Sequence, residues 1–408
     1  MRILYLSQVV PYPADAGPKI RIYHVLQYLH QQGHEITLAA FRRERDRPED
    51  IAHLQRYCQA IHTVLMRRSK LADGGRLALS LVSGASFLIG RDSVSAMRRL
   101  VTRLLSQGAF DAVHADQLAM AQYALPAGAD NSARPMTVLD QHNAVYMIPQ
   151  RIAAGSRNPL KRALLRLESR RLARYEVEVC GRFGRVVWVT AEDRQAIRAA
   201  ANGAGAQIGG PVIPICVDTQ RQRPIPRGPQ PFRVTFLGGL HWPPNAAGVA
   251  WFAREVWPQV RSQAPQAVLT VIGQQPPPDL TGDDAPAGLE ATGYVADPRP
   301  YLAETAAFIV PLHAGGGMRV KILDAWAWGL PVVATPIGAE GIRYQAGHDL
   351  LIAATVGDFA QAVTGLLQRP EAAAALAENG RRSVEEHYDW RRVYPAWDQI
   401  YPRPQASA

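Results

Sequence analysis

Gly315, Gly316 and Gly317 stand together just ahead of Met318, Arg319, Val320 and Lys321, and this spacing carries the strongest chemical signal in the chain. Glycines in a row let the backbone approach a ligand and take dihedrals closed to other residues. The apolar run at 306–312 and the pattern from Val320 onward predict a strand, a loop and a helix, so unpaired helix N–H groups face whatever the loop binds. Such a helix end favours an anion, and Arg319 and Lys321 add full positive charge beside it. Asp324 follows Gly317 by seven residues, close to two helical turns or roughly 10 Å. That arrangement suits a diphosphate at the loop and a carboxylate accepting from ribose hydroxyls further along. The plainer reading is a glycine turn opening a solvated basic helix.

Gly238 and Gly239 form a second loop of this kind, between a predicted strand at 232–237 and a predicted helix at 245–260. Their backbone can reach a diphosphate from the opposite side. Asn245 reads as the helix N-cap. His241 and Trp242 read as facing the ligand, with core packing as the alternative for Trp242. Nearer the amino terminus, Asp140-Gln141-His142-Asn143 ends a predicted strand, a position that points into the ligand crevice of an α/β sheet. His142 there suits an acid, base or polarising role, or a structural one. His114 and Asp116, after the strand at 111–113, invite the same choice. Glu192 and Asp193 also follow a strand, where helix capping is the plainer account. No Asp-x-Asp pair accompanies the glycine loops, and Asp283-Asp284 lies in a glycine- and proline-rich turn. No metal site is therefore expected, and Arg319, Lys321 and the helix dipole take a cation's place.

The elements that must position these groups alternate along the chain. Strands at 3–6, 35–40, 109–114, 136–140 and 185–190 are interleaved with helical patterns, and the alternation restarts at 232 after a stretch at 221–231 rich in proline and arginine. The expectation is an α/β protein with two Rossmann-like parallel sheets and a ligand cleft between them, since 408 residues exceed one core. The loop after the first strand lacks G-x-G-x-x-G, which argues against a dehydrogenase. The aromatic cluster Tyr388, Trp390, Tyr394 and Trp397 marks a last helix, at 387–401, expected to pack back on the first domain, followed by a frayed tail from Pro402.

Composition narrows the class. A chain that is 47% hydrophobic and 20% charged is an ordinary globular protein, and its net charge of +10 calls for an acidic partner. Cys58, Cys180 and Cys216 lack disulfide or zinc spacing, which suits a reducing cytosol. The apolar part of the first strand is too short for a signal peptide, and the run at 77–90 is too short to span a bilayer and reads as a buried segment, with an interfacial one as the alternative. Asn158-Pro159 opens a helix on which Arg162, Arg166, Arg170 and Arg174 recur every fourth residue, opposite an apolar face of Leu165, Leu172, Tyr175 and Val179 that also carries Glu168. Such a stripe fits an anionic membrane surface or a lipid phosphate, or is simply solvated.

Together these motifs resemble the retaining nucleotide-sugar glycosyltransferases of family four, the group 1 glycosyl transferases, and among them the sugar transferases of bacterial exopolysaccharide clusters. The resemblance covers nearly the whole chain. It is strongest at 236–245 and 293–341, ending Pro336-Ile337-Gly338-Ala339-Glu340-Gly341, with support from 11–21 and from Asp140-Gln141-His142-Asn143. It implies the GT-B fold of two facing Rossmann-like domains: 1–215 on the acceptor side, 216–385 binding the nucleotide sugar, and a crossover helix with the tail at 386–408. It implies donor contacts from Gly17, Gly238, Gly239, Asn245, Gly315, Gly316, Gly317, Met318, Arg319, Lys321 and Asp324, with Tyr294 and Val295 bordering the base. His142, Asp116, Arg319 and Lys321 are the implied catalytic groups, and the nucleotide sugar is a co-substrate with no further cofactor. Three departures stand out. The family's two glutamates, eight positions apart, fall on Gly316 and Asp324. Its Arg and Lys after the 232–237 strand fall near Gly239 and Asn245. A histidine common in its first domain aligns with Asp116.

The expected activity is thus a cytoplasmic, metal-independent, retaining transfer of a sugar to a glycan or lipid-linked acceptor, with the enzyme resting peripherally on a membrane. A nucleotide-sugar epimerase of the same scaffold is the second reading. A basic nucleic-acid-binding protein is the third, but no basic run is interleaved with aromatics, and no nucleic acid partner is expected.

Overall fold

The structure is a computed structural model that describes residues 1–125, 135–201, 208–228, 231–282 and 285–403. Asp283, Asp284 and the end of the tail lie outside the described residues. The chain divides into two compact units, Met1–Ile215 with Tyr394–Ala408, and Cys216–Val393.

The first unit is built on a six-stranded parallel sheet: β1 (Arg2–Ser7), β2 (Glu35–Arg42), β3 (Ala60–Leu65), β4 (Ala112–Asp116), β5 (Met136–Gln141) and β6 (Arg185–Trp188), in the order 3-2-1-4-5-6. The second unit holds β7 (Arg233–Leu237), β8 (Val268–Ile272), β9 (Leu289–Gly293), β10 (Thr305–Val310), β11 (Val332–Ala334) and β12 (Leu351–Ile352), ordered 12-11-10-7-8-9. Both are Rossmann orders. The direction of winding reverses between β1 and β4 in one sheet and between β7 and β10 in the other, and ligands bind outside the carboxyl ends of strands at such points. Central strands are covered on both faces, which is why 3–6 and 306–310 read as unbroken apolar runs. Gly33, at φ +79°, ends the helix Gly17–Gln31 and turns the chain into β2.

Three expectations change at this level. The helix expected at 245–260 comes in three pieces: an α-helix Pro243–Trp251, a π turn Phe252–Val256 and an α-helix Trp257–Gln263. Pro258 has no N–H to give to the preceding turn, and the wider π turn absorbs that loss. The expected helix at 387–401 is also divided. Pro370–His387 ends at Tyr388, where Val217 N donates to the Tyr388 carbonyl, and Trp390–Val393 and a 3-10 segment Tyr394–Gln399 follow. Only the part from Tyr394 belongs to the first unit, where Tyr28 Oη donates to Asp398 at 2.8 Å and Trp397 and Tyr401 are fully buried. Finally, residues 77–90 are not core. The helix Lys70–Ser83 buries only Ser80, and Leu79 and Val82 are 66% and 89% exposed.

Candidate active site

In the second unit, the loops that follow β7 and β10 meet through Lys321. Its Nζ donates to Asn245 Oδ1 at 3.0 Å and lies 4.2 Å from the centre of the Phe236 ring. A Cβ at Gly238 would stand 2.8 Å from that ammonium, so the second glycine loop leaves open the space the lysine occupies. Asn245 is not the N-cap; the helix starts at Pro243 after Trp242, because proline is pre-set for a first helical turn. Asn245 instead sits inside that turn, buried, and its Nδ2 donates to the Gly239 carbonyl at 2.8 Å. One amide thus fixes both the glycine loop and the lysine. Burial and the nearby Arg319 lower the Lys321 pKa to about 7.

The glycine loop itself is tightly held. Gly315 and Gly317 take φ of +135° and +71°, which side-chain-bearing residues rarely adopt. Arg319 is the residue before the helix Val320–Ala327, and its guanidinium turns back to donate to the carbonyls of Gly316 (2.6 Å) and Gly317, with Glu340 at 3.7 Å. It therefore braces the loop, where sequence reasoning made it an open cation beside Lys321. Met318 is buried, so any contact it makes with a ligand is through its backbone. Because the helix begins at Val320, Asp324 is four residues in, about 6 Å along the axis, not the two turns counted from Gly317. Asp324 is partly exposed, accepts from Gln222 Nε2 at 2.9 Å, and is raised by burial to about 6. Arg381 holds Gln222 from behind: Nη1 donates to the Gln222 carbonyl at 2.7 Å and Nη2 to the Thr219 carbonyl at 2.8 Å. Tyr294 and Val295 follow β9, two strands from β7, with Tyr294 71% exposed. His241 and Trp242 are exposed, which removes Trp242 from the core.

In the first unit, Gly17 opens the helix Gly17–Gln31, with no side chain capping its first N–H groups. His142 and Asp116 are brought together at the carboxyl ends of β5 and β4, with Nε2 to Oδ1 at 2.9 Å. Asp140 lies 3.7 Å from the same nitrogen and forms a two-point bond with Arg21, Nε to Oδ2 at 2.7 Å and Nη2 to Oδ1 at 2.6 Å. All four residues are at most 8% exposed. Two cations and two carboxylates balance; with a neutral imidazole the cluster would bury a net negative charge. Burial alone would lower the His142 pKa, but Asp116 and Asp140 outweigh it and hold it up at about 9. The two carboxylates thus favour the imidazolium form of His142, while burial raises the pKa of Asp116, the carboxylate it faces. Its Nδ1 has no hydrogen-bond partner among the described residues.

His114 is set apart from this role. It stacks on Tyr5 with ring centres 4.1 Å apart, Nδ1 is 2.8 Å from Tyr401 Oη, and burial lowers its pKa to about 3. His114, Asp116 and Asp140 offer ligand atoms within 4.8 Å of one another; Arg21 takes both oxygens of Asp140 and His142 takes Oδ1 of Asp116, while Asp116 Oδ2 and His114 Nε2 have no hydrogen-bond partner among the described residues. The segment carrying His142 is held by two carboxylates the sequence did not mark as paired with it. Asp193 accepts from Ala144 N at 2.8 Å, and Glu176, raised by burial to about 8, accepts from Val145 N and Tyr146 N at 2.7 and 2.9 Å. Asp193 also accepts from Thr190 Oγ1, the N-cap of the helix Ala191–Ala200.

The comparisons with known proteins agree with this layout. A family described as "Glycosyltransferase Family 4" matches residues 17–221, half of the chain, and one described as "Glycosyl transferases group 1" matches residues 231–369. An uncharacterized 44.6 kDa protein of the cps region of Klebsiella pneumoniae is 27% identical over 169 residues, a match spanning 40% of this chain and 44% of that one. Sucrose-phosphate synthase from Thermosynechococcus elongatus superposes with a TM-score of 0.69 at 14% identity, covering 98% of each chain. Anabaena HepE, solved with UDP-glucose, gives 0.62 at 14% identity, covering 98% of this chain and 99% of that one. Among the described residues no helix is long and apolar enough to cross a membrane. With both halves matched and the GT-B fold shared, the chain belongs to the family 4, group 1 glycosyltransferases.

Proposed function

We propose that this glycosyltransferase moves a sugar, with retention at the anomeric carbon, from a nucleotide-sugar donor to a glycan or lipid-linked acceptor in the making of a surface polysaccharide. The observation that carries the reading is the ammonium of Lys321, fixed by Asn245 beneath Gly238 in the first turn of the helix Val320–Ala327. A diphosphate seated there would meet the Lys321 ammonium and the positive end of the helix dipole, which stabilise negative charge as a sugar leaves. Asp324, one turn on, accepts from the ribose hydroxyls. The UDP-glucose held by the Anabaena relative supports a nucleotide-sugar donor, and the cps-region relative supports polysaccharide synthesis. Within the first unit, His142 offers a hydrogen-bond donor, with Asp116 and Asp140 favouring its protonated form. Since Lys321 provides the cation, transfer is expected to survive chelation of divalent ions.

Calorimetry across UDP-, GDP-, ADP- and dTDP-sugars tests this: one base should bind, and its sugar should pass to a lipid-linked glycan acceptor. Absence of binding across the panel would sink the assignment. Formation of an epimer from donor alone would replace transfer by epimerisation. Asp324→Ala should weaken UDP roughly tenfold or more, the loss of a hydrogen bond to a charged group. Gln222→Ala should weaken it less and move the acid limb of the UDP binding profile upward, because Gln222 favours the ionised form of Asp324.

A further inference from the structure

The helix Lys70–Ser83 is built with its faces reversed. Ser69 caps its start, accepting from Ala72 N, and Gly84 closes its end at φ +73°. Yet its inner side carries Asp73, Arg76 and Ser80 with a single half-buried leucine, Leu77, while Leu71, Gly75, Ala78, Leu79 and Val82 recur at helical spacing on the outer side. Leu71, Leu79 and Val82 are 90%, 66% and 89% exposed. A second apolar stripe lies on the helix Pro159–Arg182, where Leu160, Leu164 and Leu167 are 78%, 37% and 36% exposed. Glu168 ties the two together, accepting from Ser86 Oγ and from the N–H groups of Phe87 and Leu88 at 2.7, 3.1 and 2.9 Å. The outer end of the first helix is thereby held beside the middle of the second.

The charge on this surface identifies its partner. Residues 67–91 and 157–174 hold twelve Lys and Arg against two acids, and the rest of the chain holds thirty-three of each sign, so these two segments account for the whole net charge of +10. Within the segments Asp73 pairs with Arg76 at 3.4 Å and Glu168 is taken up by the backbone; Arg67, Arg68 and Arg91 pair with Glu44 and Asp92 outside them, so the field comes chiefly from the helix Pro159–Arg182. We propose that this face seats the first unit on an anionic lipid bilayer, with Leu71, Leu79 and Val82 entering the acyl boundary and Arg162, Arg166, Arg170 and Arg174 meeting the headgroups. Exposed leucines gain free energy by leaving water, and arginines beside them gain from lipid phosphate, a combination that neither a neutral membrane nor water offers. A patch of apolar side chains this size on one surface is otherwise a liability.

This deepens the reading of a lipid-linked acceptor and names the segment that would bring the enzyme to it, and the two can fail separately. Flotation of the full chain with vesicles of phosphatidylethanolamine containing about a third phosphatidylglycerol should carry the protein upward, while phosphatidylcholine vesicles should not. The triple substitution Leu71→Ser, Leu79→Ser and Val82→Ser should lower binding at least roughly tenfold with the melting temperature and UDP affinity unchanged. Arg166→Gln with Arg170→Gln and Arg174→Gln should abolish the preference for anionic vesicles. Equal flotation of the serine variant, failure of the wild type to bind anionic vesicles, or equal binding to both vesicle types would each overturn the inference. So would a wild-type dimer that the serine variant dissociates, since the face would then join two copies. Loss of UDP binding in the wild type, with vesicle binding intact, would instead count against the donor reading alone.

Discussion

Lys321→Ala should reduce kcat/KM by roughly a hundred- to a thousandfold, the usual loss when one preorganised charge facing a transition state is removed. The fold should persist, because the ammonium makes one side-chain hydrogen bond, to Asn245, and Phe236 and Asn245 remain packed without it. The same lysine should impose a pH dependence. Its free pKa of about 7, lowered by burial and Arg319, means that the uncharged amine dominates above neutrality. A bound diphosphate favours the ammonium, so affinity for a nucleoside diphosphate should fall as pH rises from 7.5 to 9, a range in which the ligand's own charge is constant. Arg319, Asp324 and Asn245 face the lysine, and of these Asp324 titrates lower, at about 6. Calorimetry at several pH values, in buffers of different ionisation enthalpy, should show proton uptake on binding for the wild type and none for Lys321→Ala. A flat profile in the wild type would remove Lys321 from the diphosphate.

The largest effect on stability is expected from Arg21→Ala. Its guanidinium is fully buried, makes both bonds to Asp140 and donates to the carbonyls of Ile213 and Pro214 at 2.7 and 3.0 Å. Removing it leaves Asp140 ionised and desolvated, with His142 as the remaining cation beside it, a change that costs about 3–5 kcal/mol. Unfolding of the first unit, followed by the fluorescence of Trp188 and Trp397 in urea, measures this. Arg21→Met with Asp140→Leu should recover much of the loss, since no uncompensated charge remains. The cluster also gives a sign to the pH dependence of stability. His142 is raised in the folded state to about 9 from 6.5, so its contribution is complete below pH 6.5 and is lost as pH rises through 9. Asp140 is lowered by Arg21 and His142, so its contribution is present above the ordinary carboxylate range and fades only in strong acid. His142→Gln should therefore flatten the decline on the alkaline side.

Several of these groups were visible in the order of residues. Both glycine loops follow strands because glycine and strand periodicity are local properties, and local spacing also marked His142 and Asp116 at strand ends. Arg21 left a readable trace as well. It shares a helix face with Val25 and Leu29, where a charge needs a buried partner. The partner itself was not readable. Asp140 lies 119 positions away, and nothing local distinguishes it from a carboxylate that caps a turn. Asn245 was misread for a local reason: asparagine is a good N-cap, but Pro243 two positions earlier claims the first turn.

The sequence by itself determined the two doubly wound sheets, the loops at their switch points and the basic character of two segments, because periodicity, glycine placement and charge act over a few residues. Only the tertiary structure decided what each charged group is used for. It turned Arg319 inward as a brace, carried Lys321 across to Asn245 and Phe236, and set Gln222 against Asp324. It also turned the apolar face of Lys70–Ser83 outward. An apolar run states a need for cover, but which surface supplies that cover depends on packing between segments far apart in the chain.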